Sequence, residues 1–104
     1  MPFNWIININ TSIGGKPRVK FDPNPLENVG TGDEIVWANN DTAAHWPGLQ
    51  NPDGSINTTY FMPNQIAPNS TSTTFSAGGS GTLNYTCSLH PDEKGTIQIT
   101  TVNA

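Results

Sequence analysis

A chain of 104 residues is enough for one domain with a single core, spanning 1–104, and too short for two. Charged residues make up 12% of it, against about 25% in an average soluble domain, and neutral polar groups replace them: 13 Asn, 13 Thr and 7 Ser, beside 10 Gly and 9 Pro that disfavour helix interiors and supply turns. A formal net charge of −4 argues against a nucleic-acid partner, no run approaches the ~18 apolar residues of a membrane span, and a single cysteine excludes an internal disulfide, which leaves a mildly acidic, soluble, all-β domain.

The opening Met1-Pro2-Phe3-Asn4 has no basic segment, and Asn8 interrupts the apolar stretch Trp5–Ile9, so no export signal is read there. Apolar residues then alternate, the mark of strands. Phe3, Trp5, Ile7 and Ile9 share one face of a first strand. Gly14-Gly15 turns the chain into a second, with Val19 and Phe21 inward and a stop at Asp22-Pro23. Leu26 and Val29 form a short segment before the turn Gly30-Thr31-Gly32-Asp33. Glu34–Ala38 points Ile35 and Trp37 one way and Val36 the other. Residues 39–67 read as loop with one short strand at Tyr60-Phe61-Met62. Ser72–Ala77 is a strand around Phe75, and Gly78-Gly79-Ser80-Gly81 is a turn. Thr82–Cys87 sets Leu83, Tyr85 and Cys87 on one face, and Gly95–Val102 closes the chain with Ile97 and Ile99 inward. Seven or eight short strands in this length predict a Greek-key β-sandwich, with Trp5 and Trp37 in its core.

Two surface features carry little chemistry. Lys16, Arg18 and Lys20 make a basic stripe, read as a solvated strand face. Asn-x-Ser/Thr triplets at Asn10, Asn40, Asn57, Asn69 and Asn84 follow from the abundance of Asn and Thr.

The groups able to do chemistry are few: His45, Cys87 and His90. Cys87-Ser88-Leu89-His90 places a thiol and an imidazole three apart at a strand end, and His45 lies just past the end of another strand. If strands 34–38 and 82–87 are antiparallel neighbours or face each other, all three gather at one pole of a sandwich. Two imidazoles with one thiolate suit copper or zinc. Taken singly, a buried cysteine also serves as a small apolar filler, and a loop histidine is ordinarily solvated.

The flanking residues add a family resemblance. Val19-Lys20-Phe21-Asp22-Pro23 looks like an early cupredoxin strand. Gly32-Asp33-Glu34-Ile35-Val36-Trp37-Ala38-Asn39-Asn40-Asp41, followed by His45, looks like the strand and loop bearing the first imidazole. Ile66-Ala67-Pro68-Asn69-Ser70 and Phe75 are similar to the next hairpin. Most specific is Tyr85-Thr86-Cys87-Ser88-Leu89-His90-Pro91-Asp92-Glu93-Lys94-Gly95-Thr96-Ile97, which resembles the copper-ligand loop of the plastocyanin- and amicyanin-like cupredoxins.

The resemblance implies one copper ion per chain, held by His45, Cys87 and His90, and a single-electron carrier rather than an enzyme. Zinc is an acceptable substitute. Small redox proteins would dock transiently at the His90 edge, where Leu89, Pro91 and Trp46-Pro47-Gly48 are candidates for an apolar patch. Trp46 is alternatively a loop anchor packed on the core. A monomer in the periplasm or secreted medium is expected. Glu93 stands where the amicyanin-type loop has its axial methionine, and Leu89 where proline is frequent. A coordinating Glu93 favours Cu(II), lowers the potential and makes a non-blue centre or a copper-holding protein the alternative; a Glu93 turned to solvent beside Lys94 leaves three protein ligands. Backbone N–H groups of Leu89 and Trp46 are candidates to donate to the Cys87 sulfur. A metal-free adhesion module leaves these residues without a role, and a thiol enzyme lacks a group to orient His90 and an oxyanion motif.

Overall fold

The computed structural model describes residues 3–11 and 19–101. The Gly14-Gly15 turn, Lys16, Arg18 and Val102 lie outside them. Among the described residues nine strands run in chain order: β1 Asn4–Thr11, β2 Val19–Asp22, β3 Leu26–Gly30, β4 Glu34–Asn39, β5 Pro47–Gln50, β6 Ile56–Asn57, β7 Phe75–Ser76, β8 Gly81–Cys87 and β9 His90–Thr100. They form two mixed sheets, ordered β2-β1-β4-β7 and β3-β9-β8-β5-β6. Successive strands from β2 to β5 alternate between the sheets, which gives the expected all-β sandwich.

Alternation along each strand decides what enters the interior. Ile7 and Ile9 of β1 and Ile35 and Trp37 of β4 are fully buried, and so are Tyr85 of β8 and Ile97 of β9. β4 and β8 belong to opposite sheets and face each other: the Trp37 and Tyr85 rings meet edge to face at 5.5 Å. Tyr85 pairs across the ladder with Gly95, and a Cβ there would fall among the tyrosine ring atoms, so glycine is required on steric grounds. Burial of the Tyr85 hydroxyl pushes its pKa well up. At one end of the sandwich the Asp33 carboxylate accepts from Gly30 N (2.8 Å), Phe3 N (3.0 Å) and Trp5 Nε1 (3.0 Å), so Trp5 is half-buried and pinned rather than fully in the core.

Four expectations need correction. Among the described residues the strands number nine, because Pro47–Gln50 pairs with β8 through Pro47↔Cys87, Gly48↔Thr86 and Leu49↔Tyr85, and Ile56–Asn57 pairs in turn with Pro47–Gln50. Proline and glycine hide such a strand from propensity; the pairing that makes it is tertiary. Gly48 fits there because a Cβ would lie 2.7 Å from Ile56 Cγ2. Tyr60-Phe61-Met62 is not a strand. Phe61 and Met62 are buried, and the Phe61 ring plugs the core against Phe75 (4.9 Å) and Trp37 (5.0 Å). The strand around Phe75 shrinks to two residues, since upstream Ser72 binds β4 through its side chain, accepting from Trp37 N at 2.9 Å. Finally, β9 begins at His90 rather than Gly95.

A candidate metal centre

Three segments converge at one pole. β4 ends at Asn39, whose buried side chain builds the next loop: Nδ2 donates to the carbonyls of Ala43 (2.9 Å), Ile66 (3.2 Å) and Ala67 (3.2 Å), and Oδ1 accepts from Asp41 N (3.0 Å). The backbone of His45 then bridges to Ile66 in both directions, which seats the imidazole where it is 0% exposed. Cys87, also fully buried, ends β8, and a two-residue turn sets His90 opposite it at the head of β9. Ser88 N donates to Trp46 O at 2.8 Å, tying this turn to the residue after His45.

Glu93 follows from the early start of β9. In that strand Glu93, Gly95, Ile97 and Ile99 are all inward and buried. The carboxylate is therefore 4% exposed and points into the cluster, away from solvent. Ligand-type atoms of His45, Cys87, His90 and Glu93 all lie within 4.8 Å of one another. Cys87 Sγ is 3.6 Å from His45 Nδ1 and 3.5 Å from His90 Nδ1; Glu93 Oε1 is 3.0 Å and 3.6 Å from the same two nitrogens. Four ligands around one ion at 2.0–2.3 Å would stand about 3.3–3.8 Å apart; three of these four separations lie in that range and the whole set within 4.8 Å, so the donors surround a space of metal size.

Proton geometry supports the fit. Asp41 Oδ2 lies 2.8 Å from His45 Nε2, and a carboxylate only accepts, so Nε2 carries hydrogen and the neutral ring turns its Nδ1 lone pair to the cluster. Glu93 Oε1 is buried without a hydrogen-bond partner although it sits 3.0 Å from that nitrogen. A cation between them satisfies both; in its absence a proton serves. Burial acts to lower the His45 pKa, but hydrogen bonds donated by the ring to Cys87 and Asp41 and the charges of Glu93 and Cys87 outweigh it and raise the value to about 9. Burial raises the Glu93 pKa, partly offset by the two histidines.

Other expectations resolve atom by atom. Trp46 N donates to Cys87 Sγ at 3.3 Å and is the amide that reaches the sulfur among the described residues; Leu89 N is not. Trp46 is half-buried, packs on the core and donates from Nε1 to Met62 O at 3.4 Å, so it anchors the loop. Pro47 and Gly48 are buried and leave the exposed rim to Leu89 and Pro91, beside a His90 side chain that is 35% exposed. Asp41 and Asn39 bear His45 without standing out in the sequence, where the available signal is an aspartate four residues before a candidate ligand. A groove of about 730 Å³ beside Gln50, Asn84 and Lys94 holds none of the four cluster residues.

No family model and no curated protein matches the chain by sequence. Solved structures do match in three dimensions. A purple cupredoxin from Nitrosopumilus maritimus superposes with TM-score 0.77 at 20% identity, over 91% of this chain and 98% of its own. The Cu(I) form of an amicyanin mutant gives TM-score 0.72 at 18% identity, over 96% and 85%. Another amicyanin mutant, reduced at pH 4, gives 0.71 at 18%, over 93% and 82%. The chain has the cupredoxin fold.

Proposed function

We propose that this protein is a mononuclear copper protein that carries single electrons, with His45, Cys87 and His90 as ligands and Glu93 in the axial position. The convergence of four donor atoms at the pole of a cupredoxin fold carries the reading. The solved neighbours named as Cu(I) amicyanin and purple cupredoxin supply the analogy for copper over zinc. Copper held there provides a one-electron couple.

The chain supplies the rest. His45, Cys87 and Glu93 lie buried in a packed frame, so the donors change place little when charge changes. The Trp46 amide draws charge from the sulfur. His90, the one cluster side chain that reaches solvent, offers an exit for the electron between Leu89 and Pro91. A small redox protein docking there transiently, one copper per chain, a monomeric state and a periplasmic or secreted location complete the proposal. Among the described residues no helix is long and apolar enough to cross a membrane.

Glu93 favours a second reading of the spectrum. A buried carboxylate aimed at the cluster is a hard anionic donor, which prefers Cu(II) and pulls the centre away from blue geometry. The test is a Cu(II) titration of metal-free protein, followed by visible absorption and EPR, repeated on Glu93→Met. A weak or shifted thiolate band that turns intensely blue in the variant places the carboxylate on copper. An intense blue band unchanged in the variant makes Glu93 a bystander. The absence of a thiolate-to-copper band in both proteins rejects the metal centre.

A further inference from the structure

We propose that Asp41 is a positioning residue that acts on copper through His45, fixing which nitrogen faces the metal and weighting the site toward Cu(II). The inference rests on the copper reading above. Asp41 is 0% exposed, and its Oδ2 takes the Nε2 hydrogen of His45 at 2.8 Å. Its other oxygen accepts from Thr42 N at 2.8 Å, and its own amide is held by Asn39 Oδ1 at 3.0 Å. Asn39 in turn grips three loop carbonyls, so the carboxylate sits in a cage that leaves it little freedom.

Two consequences follow from the chemistry. A fully buried acceptor on Nε2 selects the tautomer whose Nδ1 lone pair points at Cys87 and Glu93. A backbone carbonyl would do that much. A carboxylate adds negative charge to the imidazole and makes it a stronger donor, and the effect is larger toward the more positive ion. Asp41 on one side of the ring and Glu93 on the other therefore bias the same histidine in the same direction.

Asp41→Asn removes the charge while its one oxygen can still accept from Nε2, at the cost of turning its NH2 toward Thr42 N, and Thr42→Pro, which deletes that N–H alone, measures this local cost separately. The expected result is a Cu(II) affinity about 10-fold lower or more, measured by chelator competition, with Cu(I) affinity little changed. By linkage the reduction potential then moves up about 59 mV for each tenfold change in the ratio. Equal loss of both affinities with an unchanged potential would mean a merely structural role and overturn the proposal. A wild-type protein that binds no copper fails the earlier reading instead, before the variant is made. If Asp41→Asn does not fold, nitrogen-detected NMR of the wild-type Zn(II) form decides: a His45 Nε2–H protected from exchange supports the proposal, and a bare or metal-bound Nε2 overturns it.

Discussion

Raising the pH of the metal-free protein should strip it of stability in a defined window. His45 is buried between Asp41 and Glu93 and holds its proton to about 9, whereas the same side chain in the unfolded chain releases it near 6.5. The native state then binds one proton more than the unfolded state across that interval, and stability falls by about 1.4 kcal/mol per pH unit. The sum over the window is roughly 3 kcal/mol, a large share of the ~5–15 kcal/mol that holds a domain of this size. The stabilisation is complete below about 6.5 and gone above about 9. Glu93, its own pKa raised, competes for the same proton and works in the same direction, so the two are counted once. Urea unfolding of chelator-treated protein at a series of pH values reads the slope. His45→Gln should flatten it. Wild-type stability that stays level or rises between about 6.5 and about 9 would refute the reasoning, since the buried proton would then be absent.

Other perturbations probe separate parts of the argument. Gly95→Ala should cost about 2–3 kcal/mol in chemical denaturation, because the Tyr85 ring that occupies the Cβ position is packed against Phe21 and Trp37 and has nowhere to move. Phe61→Ala should cost about 3–5 kcal/mol, read in the same assay, because it removes the ring that plugs the core under Trp37, Phe75 and Tyr85. Leu89→Asp, at a residue 43% exposed beside His90, should leave stability unchanged but slow electron self-exchange of the copper-loaded protein, with recovery as salt screens the new charge. Zn(II) binding should release protons near neutral pH, since the ion displaces the one held at His45; calorimetry in buffers of different ionisation enthalpy measures the number.

Sequence alone determined what depends on local alternation and on residue identity. Ile7 and Ile9, Ile35 and Trp37, Tyr85 and Cys87, and Ile97 and Ile99 each fall on one strand face, and each pair is buried, because a strand repeats every two residues whatever its partner. His45, Cys87 and His90 stood out because few other residues in the chain bind soft metals. Tertiary structure decided everything that depends on a partner far along the chain. Pro47–Gln50 is a strand only because β8 lies beside it, and Phe61 and Met62 are core only because the two sheets leave a gap for them. The direction of Glu93 was open in the sequence, since it turns on where β9 begins. Once His90 pairs with Cys87, the alternation running back from Ile97 and Gly95 carries the carboxylate inward. Asp41 acquires its role in the same way: only the Asn39 cage and the bridge from His45 to Ile66 bring its oxygen to the back of the imidazole. The bonds from Asn39 and His45 to Ile66 join segments more than 20 residues apart, and their register is set by packing rather than by any local preference of the chain.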